Sequence, residues 1–237
     1  MTAPPSGRPL GVLEPVPTDR QEVSWLLQPW VEELEGHAVA VDTLERLRAA
    51  SEQAEDGSSR LTLRGRDPVR EASEATDPRS VLVAAMVWGF GTVGYGPWRT
   101  REMLDTNDAI GRLQRLADAA ASDPVEAFGM LLRRSRRPRW LGPAFGTKFL
   151  HFAAPALRSA SADVRLPLVL DANVISGLEV HGHPELSRWA WMPDGYRQYL
   201  EAVHGHAQAC GSEPDDVEYA LFLVGLDRRR STSARCG

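Results

Sequence analysis

Hydrophobic positions recur at helical spacing along most of the chain. Val23, Leu26, Leu27, Trp30, Val31 and Leu34 form a stripe over residues 21–34, interrupted only by Pro29. Val41, Leu44 and Leu47 place an amphipathic helix over 39–54. Residues 57–68 read as a linker or short hairpin in which LTLR is strand-like. VLVAAMVW, at 81–88, has no polar face and predicts a helix buried all round. A glycine-rich loop follows, with Gly89, Gly91, Gly94 and Gly96, and a new helix from about Trp98. Residues 105–121 are amphipathic, and Ser122 or Asp123 caps a helix over 125–134. Gly142 and Pro143 stop the chain there, and the apolar face of TKFLHFAAPAL predicts a fresh helix near Gly146 or Thr147. Further helices are expected from Val174, around Trp189, Trp191, Tyr196, Tyr199 and Leu200, and from Pro214–Asp215. The first twenty residues carry Pro4, Pro5, Pro9, Pro15 and Pro17 and read as an extended or disordered arm. The expected organisation is an arm (1–20), one helical domain (21–227) and a flexible polar tail (228–237).

With 237 residues, 43% of them hydrophobic, the chain can bury one core or build two helical lobes sharing a cleft. An all-α fold is expected. Cys210 and Cys236 form no CxxC pair, so no structural zinc or disulfide framework is expected, and an iron–sulfur cluster would need four thiolates. His181-Gly182-His183-Pro184 has no acidic neighbour and reads as a loop, not a metal site. The amino terminus lacks the apolar segment of a signal peptide, and no run reaches membrane-spanning length. A cytoplasmic protein with no membrane partner is expected. The net charge of −5 argues against a general polyanion binder, but its distribution is uneven. Acids gather at 22–56 and 213–218, whereas Arg133, Arg134, Arg136, Arg137 and Arg139 form a basic run before Gly142. That run is either a solvated helix end complementing the dipole or a contact to a phosphate backbone.

Two motifs bear on chemistry. Gly89-x-Gly91-x-x-Gly94 matches the outline of a dinucleotide fingerprint, but Gly96-Pro97 stops the helix that fingerprint requires and no parallel strands follow. The other motif begins from a count. Of 27 basic residues 26 are arginine, and Lys148 is the single lysine. Arginine stays protonated, whereas a lysine amine can lose its proton and attack carbon. The alternative is a compositional bias that left one lysine by chance. Lys148 follows the Gly142–Gly146 hairpin, where first-turn amides form a natural phosphate seat. Asp171 closes a second apolar run, LPLVLD, as a buried carboxylate, as the N-cap of the next helix, or as both.

Pro143, Phe145, Gly146, Thr147 and Lys148, with Asp171 downstream, resemble the helix-hairpin-helix DNA glycosylase superfamily, most closely its 8-oxoguanine branch. The resemblance covers about thirty residues. Ala144 stands where that hairpin usually has its first glycine, and Asn173 where the branch often has histidine. The resemblance implies two helical lobes around a cleft that carries a helix-hairpin-helix motif. It implies Lys148 as nucleophile and Asp171 as the carboxylate that stabilises the sugar cation. It also implies phosphate contacts at Gly142, Ala144, Gly146 and Thr147, joined by Arg137 and Arg139. The loop after the buried helix would enter the duplex, with Tyr95, Trp98 and Arg99 as candidates to fill the gap left by an everted base. Trp88, Phe90, Asp216 and Tyr219 are candidates for the base pocket, and all but Asp216 also read as core. The implied partner is double-stranded DNA containing a damaged or modified base, bound by a monomer. No cofactor is implied, beyond room for a monovalent cation at the hairpin. The loop glycines suggest room for a bulky base, including the hypermodified bases of phage DNA. The competing reading is a non-catalytic helix-hairpin-helix module that binds DNA without using Asp171.

Overall fold

The computed structural model describes residues 10–55, 58–73, 77–154, 165–184 and 190–233. Residues 1–9, Trp189 and residues 234–237, with Cys236, lie outside them. Within the described residues the chain forms eleven helices and one small antiparallel sheet, so the all-α expectation holds with an addition. The addition comes from the stripe at 21–34, which splits. Glu22–Leu26 is strand β1, and α1 starts at Leu27 and runs to Leu34. Val23 and Trp25 suit a pleated surface, and Pro29 falls in the first turn of α1, where a missing N–H costs nothing. Trp25 is fully buried and donates its indole N–H to Ser51 at 3.1 Å. Helix α2 (Ala38–Ala49) ends short of the expected 54 because β2 (Glu52–Gln53) follows. The strand-like LTLR lies in β3 (Arg60–Arg64), which pairs with β1 on one side and β2 on the other. Val23 lies opposite Leu63, and Trp25 opposite Leu61.

After α3 (Asp67–Ser73), Asp77 caps α4 (Pro78–Phe90) by accepting from the Arg79 amide. This is the expected buried helix: Val81 to Trp88 are all 7% exposed or less, with α2, α3, α5 and α8 around them. Helix α5 (Gly96–Leu104) starts two residues before Trp98. The expected room for a bulky base does not hold at Gly91 or Gly96. Gly91 sits at φ 55°, and a Cβ there would lie 2.9 Å from the Ser24 carbonyl oxygen; one at Gly96 would lie 2.8 Å from the Phe90 ring. These glycines permit close packing.

Helices α6 (Ala109–Ser122), α7 (Pro124–Leu132) and α8 (Pro143–Ala153) complete a first group packed around α4. The second group is α9 (Ala172–Val180), α10 (Pro193–Cys210) and α11 (Pro214–Ser233). The amino-terminal segment joins it, so the arm expected over 1–20 as extended or disordered is packed on the fold over its described residues, 10–20. Leu10 and Leu13 are buried, the Val16 amide donates to the Asp216 carbonyl at 3.1 Å, and the Thr18 amide to the Asp216 carboxylate at 2.9 Å. The prolines hold that segment extended while two leucines anchor it. The tail expectation is corrected as well, since α11 continues past 227 to Ser233.

Candidate active site

Helix α8 begins earlier than expected. Gly142 is its N-cap and Pro143 its first residue, so Lys148 lies in the second turn, not the first. Proline suits that position, because its φ is preset and its missing N–H is one of the unpaired donors. The amides left for an anion are then those of Ala144 and Phe145. Gly146 and Thr147 do not face a phosphate. Gly146 is buried against Leu131, 2.5 Å from where a Cβ would stand, and Thr147 is fully buried.

Thr147 has another task. Its hydroxyl donates to the Leu170 carbonyl at 3.2 Å and accepts from the Leu170 amide at 3.0 Å, fixing the residue before Asp171. Residues 165–170 are extended without a strand partner, and side chains satisfy their carbonyls in turn. His204 meets Leu166, the His151 Nδ1 meets Pro167, and the Tyr196 and Tyr199 hydroxyls donate to Leu168 and Val169, all between 2.8 and 3.0 Å. A buried backbone group without a partner costs about 1–3 kcal/mol, so this succession fixes the segment in one path. Burial pushes both tyrosine hydroxyls up, which keeps them as donors.

At the end of that path Asp171 caps α9. One carboxylate oxygen accepts from the amides of Asn173 and Val174, at 2.9 and 3.1 Å. The other accepts from the Lys148 Nζ at 3.0 Å. The pair joins the two groups of helices and is largely buried, with 7% and 16% of the side chains exposed. Burial works to raise the Asp171 carboxyl. The Lys148 charge, its hydrogen bond and the two amides outweigh that and hold it below its usual 3.8. The site therefore holds a fixed carboxylate and a primary amine in direct contact.

Aromatic rings enclose the amine. Lys148 Nζ lies 5.3 Å from the centre of the Trp88 ring and 6.0 Å from that of Phe145. Gly89 lies against the lysine stem; a Cβ there would be 2.7 Å from Lys148 Cδ. The Arg66 guanidinium also lies over Trp88, at 5.2 Å. Arg66 belongs to a buried charge cluster absent from the sequence-based expectations. Its Nη2 lies 2.6 Å from Glu218, an ion contact off the hydrogen-bonding direction, and its Nη1 lies 3.7 Å from Asp215. Arg70 donates to Asp215 at 2.6 Å. His151, one turn beyond Lys148, must carry its proton on Nδ1 to donate to Pro167, so Nε2 accepts from Arg70 at 3.3 Å. Burial raises the Glu218 carboxyl against the opposing pull of Arg66. Arg66 sits at a strand end and Glu218 in an acidic helix start; nothing in either pattern distinguishes them from surface charges.

The remaining candidates divide. Trp88 is at the site. Phe90 is one step away, stacked on Phe145 at 4.0 Å. Asp216 is committed to Val16 and Thr18, which corrects its placement in a base pocket, and Tyr219 stacks on Phe222. Tyr95 and Trp98 are 53% and 40% exposed, and Arg99 lies 5.0 Å over the Tyr95 ring. Arg137 and Arg139 line an open groove of about 450 Å³ with Gly142, Arg112, Arg134 and Trp140. Trp140 is missing from the expected set; its only signal was an aromatic within the arginine run.

Helix α8, started at the hairpin, thus presents its lysine to the aspartate that caps α9. In comparison with known families, the family model described as "Putative 8-oxoguanine DNA glycosylase OGG-like protein" matches residues 16–222, and the chain belongs to that family. No curated protein and no solved structure matches the chain.

Proposed function

We propose that the protein is a DNA glycosylase that releases a damaged base, 8-oxoguanine or one like it, from an everted nucleotide. We further propose that Lys148 gives it a strand-cleaving lyase step. The observation that carries this reading is the 3.0 Å contact between Lys148 Nζ and an Asp171 already fixed by two amides. Family membership supports it. As the C1′–N bond breaks, its electron pair leaves with the base and positive charge grows on the sugar. Asp171 stabilises that charge without having to reorganise. Lys148 gives up a proton through Asp171 and forms the Nζ–C1′ bond. Ring opening yields a Schiff base, and loss of the C2′ proton then expels the 3′ phosphate. Where water replaces the amine, the base is released and the strand stays intact. Eversion costs a few kcal/mol, which stacking by Tyr95 or Trp98 offsets by roughly 1–3 kcal/mol. The chemistry requires no metal or redox group.

Borohydride reduction of an enzyme–DNA mixture is expected to trap a covalent adduct that Lys148→Ala abolishes, while Asp171→Asn slows base release about 100-fold or more. Base release by the wild type with no adduct trapped assigns a monofunctional enzyme that uses water. Salt-sensitive duplex binding with no base released, tolerant of Asp171→Asn and Lys148→Arg, returns the chain to a binding module. Mass spectrometry of bases released from oxidised and from phage DNA identifies the substrate. A hypermodified base in place of 8-oxoguanine makes this a defence enzyme.

A further inference from the structure

Trp140 occupies a position that its side chain does not favour. It sits at φ 69°, a left-handed backbone where glycine is the low-cost choice and a bulky residue is an outlier. The turn around it sends Leu141 fully into the core and leaves Trp140 38% exposed. Arg139 lies 5.0 Å and Arg99 5.6 Å from the centre of its ring, and it leans on Trp98 at 5.8 Å. It lines the groove of about 450 Å³ together with Arg112, Arg134, Arg137 and Arg139. That volume falls within the range of roughly 300–1,000 Å³ typical of sites for small ligands. A strip of rings and one guanidinium also leads from it back to the Lys148 amine. Lys148 touches Phe145, Phe145 stacks on Phe90, Arg99 lies over Phe90, and the same Arg99 lies over Trp140, in steps of 4.0 to 6.0 Å. An exposed ring supplies a face for a base, and guanidiniums beside it supply partners for phosphates. That combination recognises an unpaired nucleotide in a single strand.

We propose that Trp140 and the arginine groove form a second nucleotide site, in which a base flanking the target is held unstacked on the Trp140 ring with its phosphates on the arginines. The proposal rests on the DNA-acting reading above and adds a substrate class, because a site that takes an unpaired neighbour accepts single-stranded DNA. Strain at an outlier backbone is retained where the side chain has work to do. The docked nucleotide supplies that work for the part of Trp140 that its arginine and Trp98 contacts leave open to solvent.

The test uses the full chain and a short single-stranded oligonucleotide with a tetrahydrofuran abasic analogue, in which 2-aminopurine is moved through the flanking positions. The expected result is quenching at one flanking position only. Trp140→Gly, which relieves the backbone, should abolish that quenching and weaken binding about 5- to 100-fold, the range of one base–aromatic stack. Trp140→Phe should retain most of both. Arg134→Gln, at an exposed position, should lower the salt dependence by about one phosphate contact. Equal affinity for Trp140→Gly and wild type, or quenching at no position, overturns the proposal. So does a phosphate effect at Arg134 without a Trp140 effect. If the borohydride adduct forms and Trp140→Gly is silent, the second site is wrong and the glycosylase reading stands. If the Trp140 effect appears but no DNA releases a base, the reverse holds.

Discussion

Gly89 shows how a single hydrogen atom keeps the lysine in place. The stem of Lys148 passes close enough that a methyl group would lie 2.7 Å from its Cδ. The stem cannot swing away freely, because its tip is tied to Asp171 and Phe145 lies on its flank. Gly89→Ala, in the last turn of a helix, is favourable for the backbone and should leave thermal stability within about 1 kcal/mol of wild type. It should still slow base release at least 10-fold, since a displacement of about 1 Å at a reacting group costs up to 100-fold. A single-turnover assay beside a melting curve separates the two effects. Tyr199 predicts the opposite pattern of causes. Its hydroxyl satisfies the Val169 carbonyl two residues before Asp171. Tyr199→Phe leaves that buried acceptor empty and should destabilise the fold by about 1–3 kcal/mol in urea unfolding, with activity falling along with the folded fraction.

Among the elements, α9 and α11 make the closest approach. A Cβ on Gly177 would lie 2.1 Å from the Leu221 carbonyl oxygen, and one on Gly225 would lie 1.8 Å from that of Asn173. Asn173 is also one of the two amides that hold Asp171, so the crossing of α9 and α11 sets the carboxylate. Gly225→Ala should force the helices apart, cost about 1–3 kcal/mol or more, and reduce base release beyond the loss of folded protein. Gly205→Ala, in α10 with open space around it, is the control and should be neutral or slightly stabilising. None of this was legible in the chain, because a glycine within a helix reads the same whether it meets backbone or water. What was legible is what periodicity and local stereochemistry determine. The all-apolar run of α4, the stop at Gly142–Pro143 and the cap at Asp171 are local features. The start of α8 was misplaced by three or four residues because the pattern places apolar faces and not first turns. β1 was hidden because Val23, Leu26, Leu27 and Trp30 satisfy a helical period across a strand–helix junction. Thr147, Tyr196 and Tyr199 were all marked in the sequence, but their task was not, because each acts on a backbone group 23 to 30 residues away.

At the scale of the molecule, two buried carboxylates, Asp171 paired with Lys148 and Glu218 paired with Arg66, respond to pH with opposite sign. Asp171 is held below its usual 3.8, so the folded state gives up that proton before the unfolded chain does. Its stabilisation is present above the unfolded value and is lost as the pH falls towards the lower folded one. Glu218 is raised above its usual 4.5 by burial. The folded state keeps that proton longer than the unfolded chain, so stability is lost as the pH rises from about 4.5 through the folded value. Each window changes stability by at most about 1.4 kcal/mol per pH unit. Glu218→Gln removes the second dependence, so its stability relative to wild type should climb as the pH rises above 4.5, whatever fixed cost follows from leaving Asp215 as the remaining carboxylate beside Arg66. Asp171→Asn should do the reverse in the lower window, losing ground to wild type as the pH rises to 3.8 and running parallel above it. Urea unfolding of the three proteins across pH 3 to 8 measures both slopes at once. Equal slopes for Glu218→Gln and wild type above 4.5 would mean that Glu218 is ionised in the fold, its charge fully matched by Arg66. The cluster beneath Trp88 would then be balanced, Arg66 and Arg70 against Asp215 and Glu218, with no net charge beside the lysine.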